Sequence, residues 1–173
     1  MAIRKVALLG HPVLRQKARP VSDREIRSAE FQRLVDDMIE TLHDYEGVGL
    51  AAPQVYEPYR LILVEVPGEE DGFPLTVCFN PEILEASEEI VLGWEGCLSI
   101  PDLRGQVPRH YRIRVRAKDR RARPFEVDVR GFPARVFQHE IDHLDGVVFL
   151  DRMENLQTLA YLREHERYWI GNA

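Results

Sequence analysis

The chain has 173 residues, of which 45% are hydrophobic and 30% charged, with a formal net charge of −6. That length suits one domain, residues 1–173, with a core that needs no disulfide or metal staple. The acidic balance argues against broad phosphate-backbone binding, so direct nucleic-acid contact is not expected. There are two cysteines, Cys78 and Cys97, and the apolar run at residues 6–9 is too short for a signal-peptide core or a membrane span. A reducing cytoplasm is the expected compartment, with the thiols free.

The first 20 residues, with Gly10-His11-Pro12 and Pro20, read as an irregular arm. Ser22-Asp23-Arg24-Glu25 is a capping box, and Phe31, Leu34, Val35, Met38, Ile39 and Leu42 recur at helical spacing. The pattern predicts a helix over residues 23–45, stopped by Gly47 and Gly49. Residues 59–66 (YRLILVEV) are mostly apolar and predict a buried strand, and residues 67–72 an exposed acidic turn. Residues 75–79 form a further strand, which makes Cys78 a core thiol. After Asn80-Pro81, residues 82–92 are expected to be extended. Ile113, Val115 and Ala117 alternate with Arg112, Arg114 and Arg116, and Phe125, Val127 and Val129 with Glu126, Asp128 and Arg130. Such alternation marks antiparallel strands with one dry face, whose opposite charges can pair across the ladder. Pro133 suits the first turn of a helix running to Leu144, before Gly146, and a last helix is expected over residues 155–168. The order of elements indicates an α+β fold.

The chemistry is concentrated in His139-Glu140-Ile141-Asp142-His143. On a helix, two histidines four residues apart lie on one face and can reach one ion. Glu140 stands beside the first of them and can serve a water at the metal without binding it. Asp142 and Asp145 are candidates for accepting the other N–H of a ligating histidine. A catalytic site also needs a third protein ligand and an open position. His43, near the end of the first predicted helix, His11, in a turn, and His110 and His165, in charged surroundings, each have an ordinary reading. Cys97 follows a glycine in Trp94-Glu95-Gly96-Cys97-Leu98-Ser99-Ile100-Pro101. Local pattern alone leaves it open between ligand and ordinary thiol. Gly47-Val48-Gly49-Leu50-Ala51-Ala52-Pro53-Gln54 is either a helix cap with a tight turn or a small-residue loop whose amides and Gln54 hold a ligand.

Together, GVGLAAPQ, EGCLS and QHEIDHLDG resemble the three signature motifs of the peptide deformylases, in the same order and over nearly the whole chain, from Ile3 to about Arg152. The resemblance implies an α+β fold with antiparallel sheets packed around a central helix that carries the motif, and with an N-terminal and a C-terminal helix. It implies metal ligation by Cys97, His139 and His143, Glu140 as the catalytic glutamate, and oxyanion stabilisation by Gln54 and the backbone N–H of Leu98. Substrate contacts are implied at Val48, Gly49, Leu50, Glu95, Gly96, Arg104, Phe132, Arg135 and Val136. The implied reaction removes formate from the N-terminal formylmethionine of nascent peptides. The implied cofactor is one divalent metal, Fe(II) before Zn(II) or Ni(II). Transient ribosome contact gains little support, because in the C-terminal residues Glu154, Glu164 and Glu166 stand against Arg163 and Arg167. A monomer or a homodimer fits equally. Arg135 and Gly93 depart from an apolar methionine pocket; the stem of Arg135 is expected to pack while its charge reaches solvent. A metallopeptidase and a zinc-stabilised binding module are the alternatives in other classes.

Overall fold

The computed structural model describes residues 2–68 and 72–170. The acidic residues of the turn expected at 67–72, at positions 69–71, lie outside the described ones. The Ser22–Glu25 capping box forms as expected and opens α1 (Asp23–Ile26). The predicted long helix is interrupted there. Ser28 accepts a hydrogen bond from the Phe31 N–H and starts a second helix, α2 (Ala29–Asp44). A serine that can cap a new helix competes with continuing the old one, and periodicity alone does not reveal this.

After β1 (Gly49–Ala51), β2 (Leu61–Val66) is apolar on both faces and lies between two helices. Leu61 and Leu63 join Leu34, Val35, Met38 and Leu42 of α2. Ile62, Val64 and Val66 turn the other way, into the cluster shared with the motif helix. The two strands expected around Asn80-Pro81 are one bent strand, β3 (Phe73–Ala86). Its first half pairs with β2 and its second half with a later strand, with a register shift between Phe79 and Glu82. Asn80 takes a positive φ of 50° at that bend, and its side chain bonds both the N–H and the carbonyl of Val21. The bend therefore also ties down the N-terminal arm.

β4 (Ile90–Cys97) and β5 (Ile100–His110) form a hairpin. β6 (Arg112–Lys118) and β7 (Pro124–Arg130) form another, antiparallel as the alternation indicates. Their wet faces pair as expected, with Arg114 opposite Asp128 and Arg116 opposite Glu126. The sheets are β1-β2-β3-β6-β7 and β4-β5 extended by the short β8 (Ala160–Tyr161). The motif helix α3 (Gly131–Leu144) runs between them and is buried at every residue from Pro133 to Leu144. Ala134, Phe137, Ile141 and Leu144 face the larger sheet, among Ile62, Cys78, Ile113 and Val115. The short α4 (Phe149–Arg152) packs Phe149 against Ile100 and Val107 of the hairpin.

The C-terminal region departs from the expected helix over 155–168. Residues 156–158 are bend and turn, β8 follows after Leu159, and helical structure begins only at α5 (Leu162–His165) and continues as a π-helical turn at Glu166–Ile170. Pairing of Leu103 with Tyr161 and Arg104 with Ala160 draws this stretch into the sheet. Tertiary pairing overrides helical propensity here. Among the described residues no helix is long and apolar enough to cross a membrane.

Gly146, just past α3, has φ +75°, and a Cβ there would stand 2.7 Å from the backbone carbonyl oxygen of Arg15. Gly146→Ala is expected to destabilise the fold by at least about 1–2 kcal/mol from the left-handed backbone alone, read as a lower urea midpoint at unchanged m-value.

Candidate metal centre

Two elements supply the donors. The helical spacing of α3 stacks His139 and His143 one turn apart, with ring centroids 5.0 Å apart. The last residue of β4 brings in Cys97, whose Sγ lies 3.2 Å from His143 Nε2. The three donor atoms lie within 4.8 Å of one another, and all three residues are buried. One ion with bonds of about 2.0–2.3 Å spans such a set. A thiolate with two imidazoles suits Fe(II) or Zn(II) chemistry, so the residues present fit one divalent metal.

The electrostatics prepare the donors. His139 Nδ1 donates to Glu95 Oε2 at 2.8 Å, which leaves Nε2 of that ring for the metal. Burial opposes charge on Cys97, but His143 and His139 beside it hold the thiol well below its usual value. Burial opposes charge on His139 too, while Cys97 and Glu95 raise it well above the usual imidazole value. Glu95 is held down at about 2 despite its burial, by hydrogen bonds from His139 and Arg109. Glu140 goes the other way: burial lifts it to about 7 against the pull of His139 and His143. Its Oε2 has no hydrogen-bond partner among the described residues.

Gln54 is almost fully buried and oriented at both ends. Its Oε1 accepts from the Ala51 N–H at 2.8 Å, which turns its amide nitrogen towards Cys97 Sγ at 3.4 Å and Ser99 Oγ at 3.2 Å. Leu98 sits in the turn between the paired Cys97 and Ile100. Gly49 lies against Glu140: a Cβ there would fall 2.4 Å from Glu140 Oε1, so only glycine admits the carboxylate.

A cavity of about 750 Å³ opens onto this centre and is bordered by Val48, Gly49, Gly96, Arg104, Phe132, Arg135 and Val136. Three side chains expected at the substrate are placed as follows, and for Arg135 the expected direction of its charge is corrected. Leu50 does not border the cavity. Successive strand residues face opposite ways, so the neighbour of Gly49 is buried in the cluster beneath α2. Glu95 borders the cavity, but its carboxylate accepts from Arg109, Arg135 and His139. Arg135 does not send its charge to solvent: its side chain is 10% exposed and donates to Glu95 and to the carbonyls of Val91, Gly93 and Val107. The two departures noted in the sequence are one feature, because a Cβ on Gly93 would stand 2.7 Å from the Arg135 guanidinium.

Asp142 orients no histidine; it accepts from Arg109 at 2.6 Å and Arg152 at 2.7 Å, while Asp145 accepts from Arg60. His11, His43 and His110 bond Val13, Glu65 and Ser87 and belong to other parts of the fold. Sequence reasoning missed Ser99, Trp94 and His165. The buried Ser99 lies inside a quoted motif, which was the available signal. Trp94 and His165 border the cavity with no local pattern to announce it.

The family model described as polypeptide deformylase matches residues 3–159. "Peptide deformylase 2" of Nostoc sp. is 48% identical over 159 residues, covering 88% of this chain and 87% of the relative. A Met-Ala-Ser-bound class I type b peptide deformylase from Acinetobacter baumannii superposes with a TM-score of 0.84 at 42% identity, covering 88% of this chain and 99% of that one. The Thermotoga maritima peptide deformylase gives 0.83 at 37% identity, covering 90% and 100%.

Glu95→Gln is expected to weaken metal affinity about 10- to 100-fold, measured by competition with a chelator. Gly93→Val alone should destabilise the fold by about 1–3 kcal/mol through overpacking. Combining it with Arg135→Leu should reveal a favourable coupling above about 1 kcal/mol in a urea double-mutant cycle; additive effects would separate the two residues.

Proposed function

Since the chain belongs to the polypeptide deformylase family and removes the N-formyl group from nascent peptides, we propose that Glu140 is its general base and acid. The observation that carries this is a buried carboxylate with an unpartnered oxygen, next in sequence to a metal donor and bordering the substrate cavity. Cys97, His139 and His143 would hold a divalent ion, which when bound would supply Lewis acidity towards water and a carbonyl. Fe(II) is the proposed resident metal, with Zn(II) or Ni(II) as substitutes.

Glu140 takes the proton of the attacking water and returns it to the amine that leaves as formate separates. Gln54 supplies a donor to the developing oxyanion, since its amide is already aimed at the Cys97 side of the centre. The backbone N–H of Leu98 is proposed as the second donor. Main chain at Val48 and Gly49 holds the peptide in extended form. Phe132, Val136 and the buried stem of Arg135 surround the methionine side chain, and Arg104 and Gly96 border the peptide further out. The cytoplasm is the proposed compartment, with nascent chains as partners and a monomer or a homodimer as the working form.

Glu140→Gln is expected to retain metal and lose about 10²- to 10⁴-fold in kcat on an N-formylmethionyl peptide. Formate release is the readout, with an acetylated peptide as control; full activity in this variant would remove Glu140 from the mechanism. The base works ionised, so the rate falls as pH drops through its pKa. Burial raises that value to about 7, and a cation on the three donors lowers it. The acid limb of kcat/KM is therefore expected below pH 7.

A further inference from the structure

The two proposed oxyanion donors come from separate elements. Gln54 belongs to the helical turn Ala52–Val55, and the Leu98 N–H to the turn that joins β4 to β5. The N-terminal arm laces these elements together. The Ala7 N–H donates to the Gln54 carbonyl at 2.7 Å, and the Leu9 N–H donates to the Ser99 carbonyl at 2.8 Å. Ser99, next to Leu98, is fully buried, and its hydroxyl oxygen accepts from Gln54 Nε2. The amide cannot turn over without loss, because its Oε1 takes the Ala51 N–H. A primary amide has two N–H donors. Ser99 occupies one of them, which leaves the other for the side of Cys97 Sγ, 3.4 Å away. Ser99 does not border the substrate cavity, so any effect it has on the reaction runs through Gln54.

We propose that Ser99 is a positioning residue for deformylation: its hydroxyl holds the Gln54 amide so that the second N–H is aimed where the oxyanion develops. This rests on the deformylase reading and on the role of Gln54 in it, and it deepens both. A donor stabilises a transition state best when it is oriented before the charge appears. The last torsion of a glutamine side chain is broad, so an amide held at Oε1 alone can still swing its nitrogen. A second fixed point removes that freedom. Ser99 can serve as that point because its own carbonyl and the carbonyl of Gln54 hang on the same short stretch of the arm.

The test is a kinetic double-mutant cycle on the metal-loaded enzyme, read as formate release from formyl-Met-Ala-Ser, with metal content and urea midpoint measured for every variant. Ser99→Ala should lower kcat about three- to tenfold, the worth of one hydrogen bond, at unchanged KM and metal content. Gln54→Ala alone should lower kcat about 10²- to 10³-fold. Adding Ser99→Ala to it should lower kcat no further, because the two residues act as one unit. Ser99→Thr and Ser99→Val are of similar size and differ in the hydroxyl. Their kcat ratio therefore reads the hydrogen bond even where added bulk shifts the stability of both, and the threonine variant should be the faster by about three- to tenfold. Equal kcat in that pair, or an unchanged kcat in Ser99→Ala, overturns the proposal. So does an equal loss with and without Gln54, which would make the role of Ser99 purely structural. If the wild type releases no formate, the deformylase reading itself fails. Full activity in Gln54→Ala removes Gln54 from the mechanism and the inference with it, whereas additive losses overturn the inference alone.

Discussion

The carboxylate of Glu95 is the point on which the centre depends. It sits on β4, two residues before the ligand Cys97, and accepts from His139 on α3 and from Arg109 on β5. Without this bridge the thiolate and the imidazoles belong to separate elements, 42 positions apart in sequence between Cys97 and His139. The carboxylate is buried, and a buried charge persists only when paired and hydrogen-bonded. Arg135 adds a third donor to it, and Arg109 continues the network to Asp142, which also takes Arg152 from α4. One chain of alternating charges thus holds the hairpin, the motif helix and the following turn in mutual register.

Glycines on the strands make room for this. At Gly49, Gly93 and Gly96 a Cβ would collide with Glu140, Arg135 and Arg104 in turn. In each case a missing side chain on a strand admits the charged end of a long one from elsewhere. Two of those ends come from α3, which explains how a helix buried on all sides carries polar groups into the cavity without parting the strands around it. The same crowding bears on Glu140: pressed against Gly49 backbone and walled from solvent, it has its ionisation set by burial and by the metal donors beside it.

What the sequence made legible follows from the range of the interactions concerned. The α3 motif, the capping box at Ser22 and the charge-paired alternation of β6 and β7 are local patterns, and all stand in the structure. Cys97 became a ligand only by resemblance, because its role depends on a helix far along the chain. Arg135 and Gly93 each read as an oddity, since their fit is a contact between elements 42 positions apart. Asp142 had suitable spacing for a histidine partner, but Arg109 and Arg152 reach it instead. The C-terminal stretch looked helical from composition, and β8 pairing decided otherwise.

The centre and the C-terminal segment therefore stand on different footings. The metal donors, Glu140 and Gln54 come from elements locked by buried charge and by both faces of the large sheet, so their geometry tolerates little change. The segment around Trp94 and His165 rests instead on a two-residue strand and a few aromatic contacts. Few buried contacts mean a low local stability, and such segments open more readily than the core. Hydrolysis needs fixed donors, and the buried charge network is what fixes them.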